Sequence, residues 1–269
     1  MIMRRILFFL FFICLFCFPI MAYASCPYKI VQEPKGVYVI EIISSKSRAK
    51  LQPVIVSELE TNFDVYKRLH PRFIVNAGFF DPKNQKTVSY VTIDGQVVLD
   101  PKQNESLMGN AALKPYLPKI LNRSEFRILE DDKGKILYDI SAHNDVVPEG
   151  YKIKHSIQAG PMLVPDLRLE EEFFILKRNG KIISESASSL HKYARTAIGI
   201  KNNRVYIIIA TNEAPMTLEE LANFARNMGL EKAMAFDGGG STSFDSQELH
   251  IISEKDNQAR KLKSFLILK

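Results

Sequence analysis

Residues Arg204 to Thr242 read RVYIIIATNEAPMTLEELANFARNMGLEKAMAFDGGGST, and the punctuation of this stretch decides how the chain folds. Arg204 to Ala210 is an apolar, β-branched run of strand length. Thr217 and Glu220 have the spacing of a capping box, and Leu218, Leu221, Phe224, Ala225 and Met228 follow at helical period. Gly229 stands where a helix takes its C-terminal glycine, and Lys232 to Phe236 is a second short strand. Strand, helix and strand joined this tightly predict a βαβ unit with parallel strands and a right-handed crossover. Parallel strands end on one edge of a sheet, so Thr211-Asn212-Glu213 and Asp237 are expected to face one crevice.

Upstream of this unit, short β signals dominate. Gly36 to Ile43 and Leu51 to Val56 read as strands, and Ser57 to Leu69 reads as a helix capped by Ser57. Arg72 to Val75 is a short buried strand. Ser89 to Ile93 and Gln96 to Leu99 flank the hairpin signal Asp94-Gly95, and Phe126 to Leu129 and Lys135 to Ile140 flank Asp131-Asp132-Lys133-Gly134. Arg195 to Ile200 and Arg204 to Ala210 read as strands around Lys201-Asn202-Asn203. No repeat and no linker of domain-separating length interrupts the chain. The expected architecture is α+β: a single domain over residues 25–269, a mixed twisted sheet with hairpins, flanking helices and one C-terminal βαβ unit.

The first 24 residues read differently. Arg4 and Arg5 precede an almost wholly apolar run from Ile6 to Met21, and Ala22-Tyr23-Ala24 supplies small residues at the two positions a signal peptidase reads. Residues 1–24 are therefore expected to be a signal peptide, and the protein to be periplasmic or secreted, with no membrane association after cleavage. An N-terminal anchor and a lipid anchor on Cys26 are the competing readings, the second disfavoured by Tyr23 three places before the cysteine. Cys14 and Cys17 lie in that leader, so Cys26 is the sole cysteine left beyond it, which excludes an internal disulfide and a cysteine-based zinc site. The formal net charge of +6 is mild and no basic run occurs, so the partner expected is an anionic small molecule or glycan and not nucleic acid.

Candidate chemistry collects where apolar strands break into polar residues and glycine. After Asp237, Gly238, Gly239 and Gly240 would let a ligand approach bare backbone, with Ser241 and Thr242 adding hydroxyls. GGGST lacks the lysine of a P-loop and the pattern of a serine-hydrolase elbow. Asn76 and Gly78 end one strand, Gln158 lies in Ser156 to Val164, and Arg195 with Thr196 opens another strand. A buried amide needs hydrogen-bond partners, so Asn76 and Gln158 are either ligand contacts or anchors of the backbone. His191 reads as a surface residue, and Asp81 either lines the cleft or begins the Asp81-Pro82 turn. His143 and Asp145 lie in a loop and could suggest a metal, but no further ligand spacing supports one; no metal-ligand residue is assigned and no cofactor is expected.

In order, NAGFF, the Gly109-Asn110 pair, QAGPMLV, RTAIG and FDGGGST resemble the phosphodiester glycosidase family, from about Tyr38 to the C-terminus. The first motif departs mildly, since the family more often carries two glycines where this chain has Ala77-Gly78. The disulfides and extra modules of animal members have no counterpart. The resemblance implies hydrolysis of a sugar-1-phosphodiester between the anomeric carbon and the phosphate oxygen. It implies Asp237 as the principal catalytic carboxylate, Glu213 as a second, and Arg195 on the phosphate. Asn76, Gly78, Gln158, Thr196 and Gly238 to Thr242 would contact phosphate or sugar. The competing reading is a non-catalytic module that binds a phosphorylated glycan or exopolysaccharide.

Overall fold

The computed structural model describes residues 26–32, 34–43, 50–253 and 258–269, so the expected signal peptide lies outside the described residues. In chain order it begins with β1 (Tyr28–Gln32), β2 (Val37–Ile42), β3 (Leu51–Thr61), α1 (Asn62–Leu69), β4 (Phe73–Asn76), β5 (Val91–Ile93) and β6 (Gln96–Leu99). The short helices α2 (Glu105–Met108) and α3 (Leu117–Leu121) lead to β7 (Ser124–Asp131), β8 (Ile136–Ala142), β9 (Tyr151–Gln158) and β10 (Met162–Val164). A hairpin of β11 (Ile175–Arg178) and β12 (Lys181–Glu185) precedes β13 (Arg195–Lys201), β14 (Arg204–Ala210), α4 (Leu218–Asn227) and β15 (Lys232–Ala235). The chain ends with β16 (Ser243–Ser246), β17 (His250–Ile252) and β18 (Lys261–Leu268).

These strands form a six-stranded sheet of order β1-β2-β14-β13-β15-β10 and two five-stranded sheets, β17-β16-β4-β18-β3 and β6-β5-β9-β7-β8, besides the β11–β12 hairpin. Strands dominate and helices are few, an arrangement compatible with α+β. All three large sheets contribute to one core, in which Ile40, Phe73, Phe126, Ile157, Ile198, Met234, Phe244 and Leu266 are buried. On the other face of the six-stranded sheet, Leu218, Leu221, Ala222 and Ala225 of α4 pack on Ala197, Ile208, Ala210, Ala233 and Ala235. Burial on both faces explains why β13, β14 and β15 read as continuous apolar runs. Alanines at that contact let the helix lie close to the strands.

One expectation is corrected here. Within the described residues every strand pair is antiparallel, so the sheet is not mixed. β14 and β15 do run parallel to each other, but β13 lies between them and is antiparallel to both. The cause is the turn at Asn202 and Asn203, whose φ angles of 51° and 55° make a tight hairpin of the kind that fixes β13 beside β14. The crossover through α4 must then pass over β13 before β15 can pair. The capping box of Thr217 and Glu220 is formed, and Gly229 takes φ 70° just beyond the helix.

Two boundaries also move. β3 runs on to Thr61 because β18 pairs with it as far as Thr61, so Thr61 and not Ser57 caps the following helix by accepting from the Asp64 N–H. The run from Ser156 to Val164 divides between two sheets. β9 ends at Gln158, Gly160 takes φ 106° and donates its N–H to Ala235, and β10 joins the edge of the six-stranded sheet.

Candidate active site

The outer ends of β14 and β15 and the start of β13 lie on one edge of the six-stranded sheet. Register pairs Ala197 with Ala235 and Arg195 with Ala210, which sets Arg195 beside the loop that begins at Asp237. A cavity of about 470 Å³ opens at this edge, lined among others by Asp237, Gly238, Gly239, Gly240, Arg195 and Arg260. Phe79, Phe174 and Tyr193 supply aromatic walls, and Asn212 and Ser253 complete the polar rim.

Asp237 is fixed from several directions. Its N–H donates to Ala77 O at 2.8 Å, its carbonyl accepts from Asn76 Nδ2 at 2.6 Å, and its Oδ1 accepts from the Gly238 N–H at 2.9 Å. The residue keeps some contact with the cavity while protein atoms crowd its carboxyl. Burial pushes the pKa up to about 6, although the Ser241 hydroxyl, the Arg260 charge, the Gly238 N–H and the Arg195 charge all pull it down. Desolvation thus outweighs two nearby cations. The Ser241 hydroxyl stands beside the carboxyl but falls short of full hydrogen-bond geometry; the Oγ atoms of Ser241 and Ser253 and Oγ1 of Thr242 are buried without a partner.

Arg195 is almost fully buried, and its donors are largely committed. Nε donates to Met216 O at 2.8 Å, Nη1 to Ala187 O at 3.3 Å, and Nη2 to Ser188 O and His191 O, both at 2.7 Å. Burial lowers its pKa to about 10, so it stays a cation at neutral pH. A guanidinium that bonds four main-chain carbonyls orders the segment from Ala187 to His191 and keeps no open fork for a phosphate. The cavity nevertheless sees its positive charge. Arg260 was not singled out by any motif, because it lies in the irregular run just before β18.

The other sequence candidates separate cleanly. Asn76 Oδ1 accepts from Thr196 Oγ1 at 2.8 Å and from Ser243 N–H at 3.1 Å, so both residues tie β4, β13 and β16 together behind the Asp237 loop. Gln158 donates to Leu121 O at 2.9 Å and Arg123 O at 3.3 Å. Gly78 donates to Ser264 Oγ at 3.1 Å, and a Cβ there would meet Ser89 Cβ at 3.0 Å, so its smallness serves close packing. None of these lines the cavity. Glu213 does not line the cavity either: its side chain is 63% exposed, with Lys35 at 4.0 Å. The glycine loop is not an anion cradle of consecutive N–H groups either. The Gly239 N–H donates to Ala194 O, and those of Ser241 and Thr242 close a turn on Gly238 and Gly239, which leaves the Gly240 N–H open among the described residues.

His143 Nδ1 contacts Glu125, and no group of three His, Cys, Asp or Glu side chains within the described residues could hold a metal ion. No described helix is long and apolar enough to cross a membrane.

The fold recurs in solved structures. A hypothetical protein from Synechocystis matches with a TM-score of 0.61 at 14% identity over 90% of this chain, which spans 61% of that one. The zebrafish N-acetylglucosamine-1-phosphodiester alpha-N-acetylglucosaminidase catalytic domain, auto-inhibited by its pro-peptide, matches with a TM-score of 0.60 at 13% identity, covering 90% of this chain and 81% of that one. A Burkholderia pseudomallei K96243 protein provisionally designated as exported gives 0.60 at 14% identity, covering 86% and 73%. No curated protein matches in sequence. The sequence profile of the phosphodiester glycosidases, a family of hydrolases, matches residues 70–269, a region that holds β4 through β18 and every residue of the cavity wall. The chain belongs to the phosphodiester glycosidase family.

Proposed function

We propose that this protein is an exported hydrolase that cleaves the bond between the anomeric carbon and the phosphate oxygen of a sugar-1-phosphodiester in an envelope or extracellular glycan. The observation that carries the reading is Asp237: a carboxyl with its pKa raised to about 6, on the wall of a cavity that also presents Arg260 and the charge of Arg195. Perturbed carboxyls in clefts are what glycosidic cleavage uses. Phosphate is already a good leaving group, so the demand falls on stabilising positive charge at the anomeric carbon. Ionised Asp237 would do this from one side. The departing phosphate keeps the bond's electron pair and meets Arg260 and the Gly240 N–H. Water then supplies the new hydroxyl at the anomeric carbon and releases its proton to solvent.

Residues 25–269 would act as one domain after removal of residues 1–24. The test is release of free sugar from a sugar-1-phosphodiester by the parent protein and by Asp237→Asn. Turnover by the parent and its loss in the variant support the proposal. Binding without turnover by the parent would instead make the protein a glycan-binding module. Full activity in the variant would remove Asp237 from the chemistry.

A further inference from the structure

A second cavity, of about 500 Å³, lies next to the first, and consecutive residues line the two: Phe174 and Ala187 face one, Phe173 and Ser186 the other. Between them sits Arg123, whose guanidinium lies 4.1 Å from the centroid of the Phe174 ring and 5.6 Å from that of Phe79. Arg123 is only 7% exposed and lines the second cavity. Its Nε donates to Glu172 O at 3.0 Å and its Nη2 to Phe173 O at 3.3 Å, while Nη1 has no acceptor among the described residues.

The nearest buried counter-charge does not fill that gap. The Glu172 carboxylate accepts from Ser124 N–H and Oγ and from Met162 N–H. Burial lowers the Arg123 pKa to about 10, which leaves it charged at neutral pH. A desolvated cation with open donors facing a cavity is a binding site for an anion. The remaining lining says what carries the anion. Leu113 and Val88 offer apolar surface, Phe173 stacks on Tyr116 at 4.1 Å, and Asn110 keeps its Nδ2 without an acceptor among the described residues. Apolar and aromatic faces beside an open amide suit the C–H face and hydroxyls of a pyranose. Lys83 and Asp81 also line the cavity and oppose each other in charge, so Arg123 sets its sign.

We propose that this second cavity is a subsite for a pyranose that bears an anionic group, a carboxylate or a phosphate ester, with Arg123 on the anion and Asn110 on a hydroxyl. It rests on the glycan reading of the first cavity only for its place beside the cleaved bond; binding here needs no turnover. Glucuronate, glucose-6-phosphate, glucose and inorganic phosphate would each be titrated into the protein and followed by amide chemical shifts.

At least one anionic sugar should bind about tenfold more tightly than glucose, with shifts at Asn110 and Phe173, and which one succeeds names the anion. Arg123→Gln should abolish that preference, and Asn110→Ala, an exposed change that leaves the core intact, should weaken the same sugar about threefold to tenfold. Equal binding of glucose and both anionic sugars overturns the proposal. So does free phosphate binding as tightly as either anionic sugar, or unchanged affinity in Asn110→Ala. Absence of turnover by the parent with these affinities intact would overturn the hydrolase reading and leave this subsite standing.

Discussion

The loop after β15 and the ends of β4 and β9 carry similar residues, small or polar, each placed where a buried strand stops. Around β4 and β9 the polar groups are closed on the protein itself. Asn76 joins Asp237, Thr196 and Ser243, and Gln158 joins Leu121 and Arg123. In the loop after β15 Asp237 borders the cavity, whereas the hydroxyls of Ser241 and Thr242 are buried without a partner and do not line it. Motif residues here divide into those whose polar groups bond neighbouring segments of the protein and those on the cavity wall. A carboxyl held at a cavity wall with its pKa raised by burial marks that edge as the working one.

The sharpest test of the division is Asp237→Asn. It should lower kcat on a sugar-1-phosphodiester about a thousandfold while the protein stays folded, measured by sugar release alongside circular dichroism. Asn76→Ala attacks the opposite class. It strands the Asp237 carbonyl, the Thr196 hydroxyl and the Ser243 N–H together, and should cost about 3 kcal/mol in denaturant unfolding. A variant that unfolds like the parent but fails to turn over would move Asn76 to the ligand-facing class.

The pKa of Asp237 gives a third test. Its folded value of about 6 lies above the ordinary carboxylate value, so the native state holds the proton more tightly than the unfolded chain does. Its contribution to stability is therefore present below about pH 4 and is lost as pH rises to about 6. Relative to Asp237→Asn, the parent should lose at most about 3 kcal/mol across that window. If ionised Asp237 acts in catalysis, kcat should rise with pH through about 6; a fall over the same range would assign it as the acid. The smallest effect is expected for Glu213→Gln. An exposed carboxylate 4.0 Å from Lys35 contributes little, and turnover should change by less than about twofold.

Within the chain, local patterns were the most legible. The capping box at Thr217, the glycine after α4, the Asp94-Gly95 hairpin and the strand lengths of β13 and β14 all follow from propensities that act over a few residues. The family was legible too, because its motifs are short and ordered. The boundary of α1 was not, since β18 extends β3 from a distance of some two hundred residues in sequence.

By itself the sequence determined that Asp237 would end a buried strand at a sheet edge shared with the end of β14. That follows from hydrophobic period, a helix of crossover length and a tight turn. Only the tertiary structure decided that β13 would come between those strands: the Asn202-Asn203 turn sets β13 beside β14, and the pairing of β15 with the other edge of β13 joins segments some thirty residues apart. It alone decided that the Arg195 guanidinium would bind main-chain carbonyls while Arg260 came to the cavity. A side chain's type fixes which hydrogen bonds it can make. Which acceptors lie within reach is set by segments far apart in sequence, and folding brings those together.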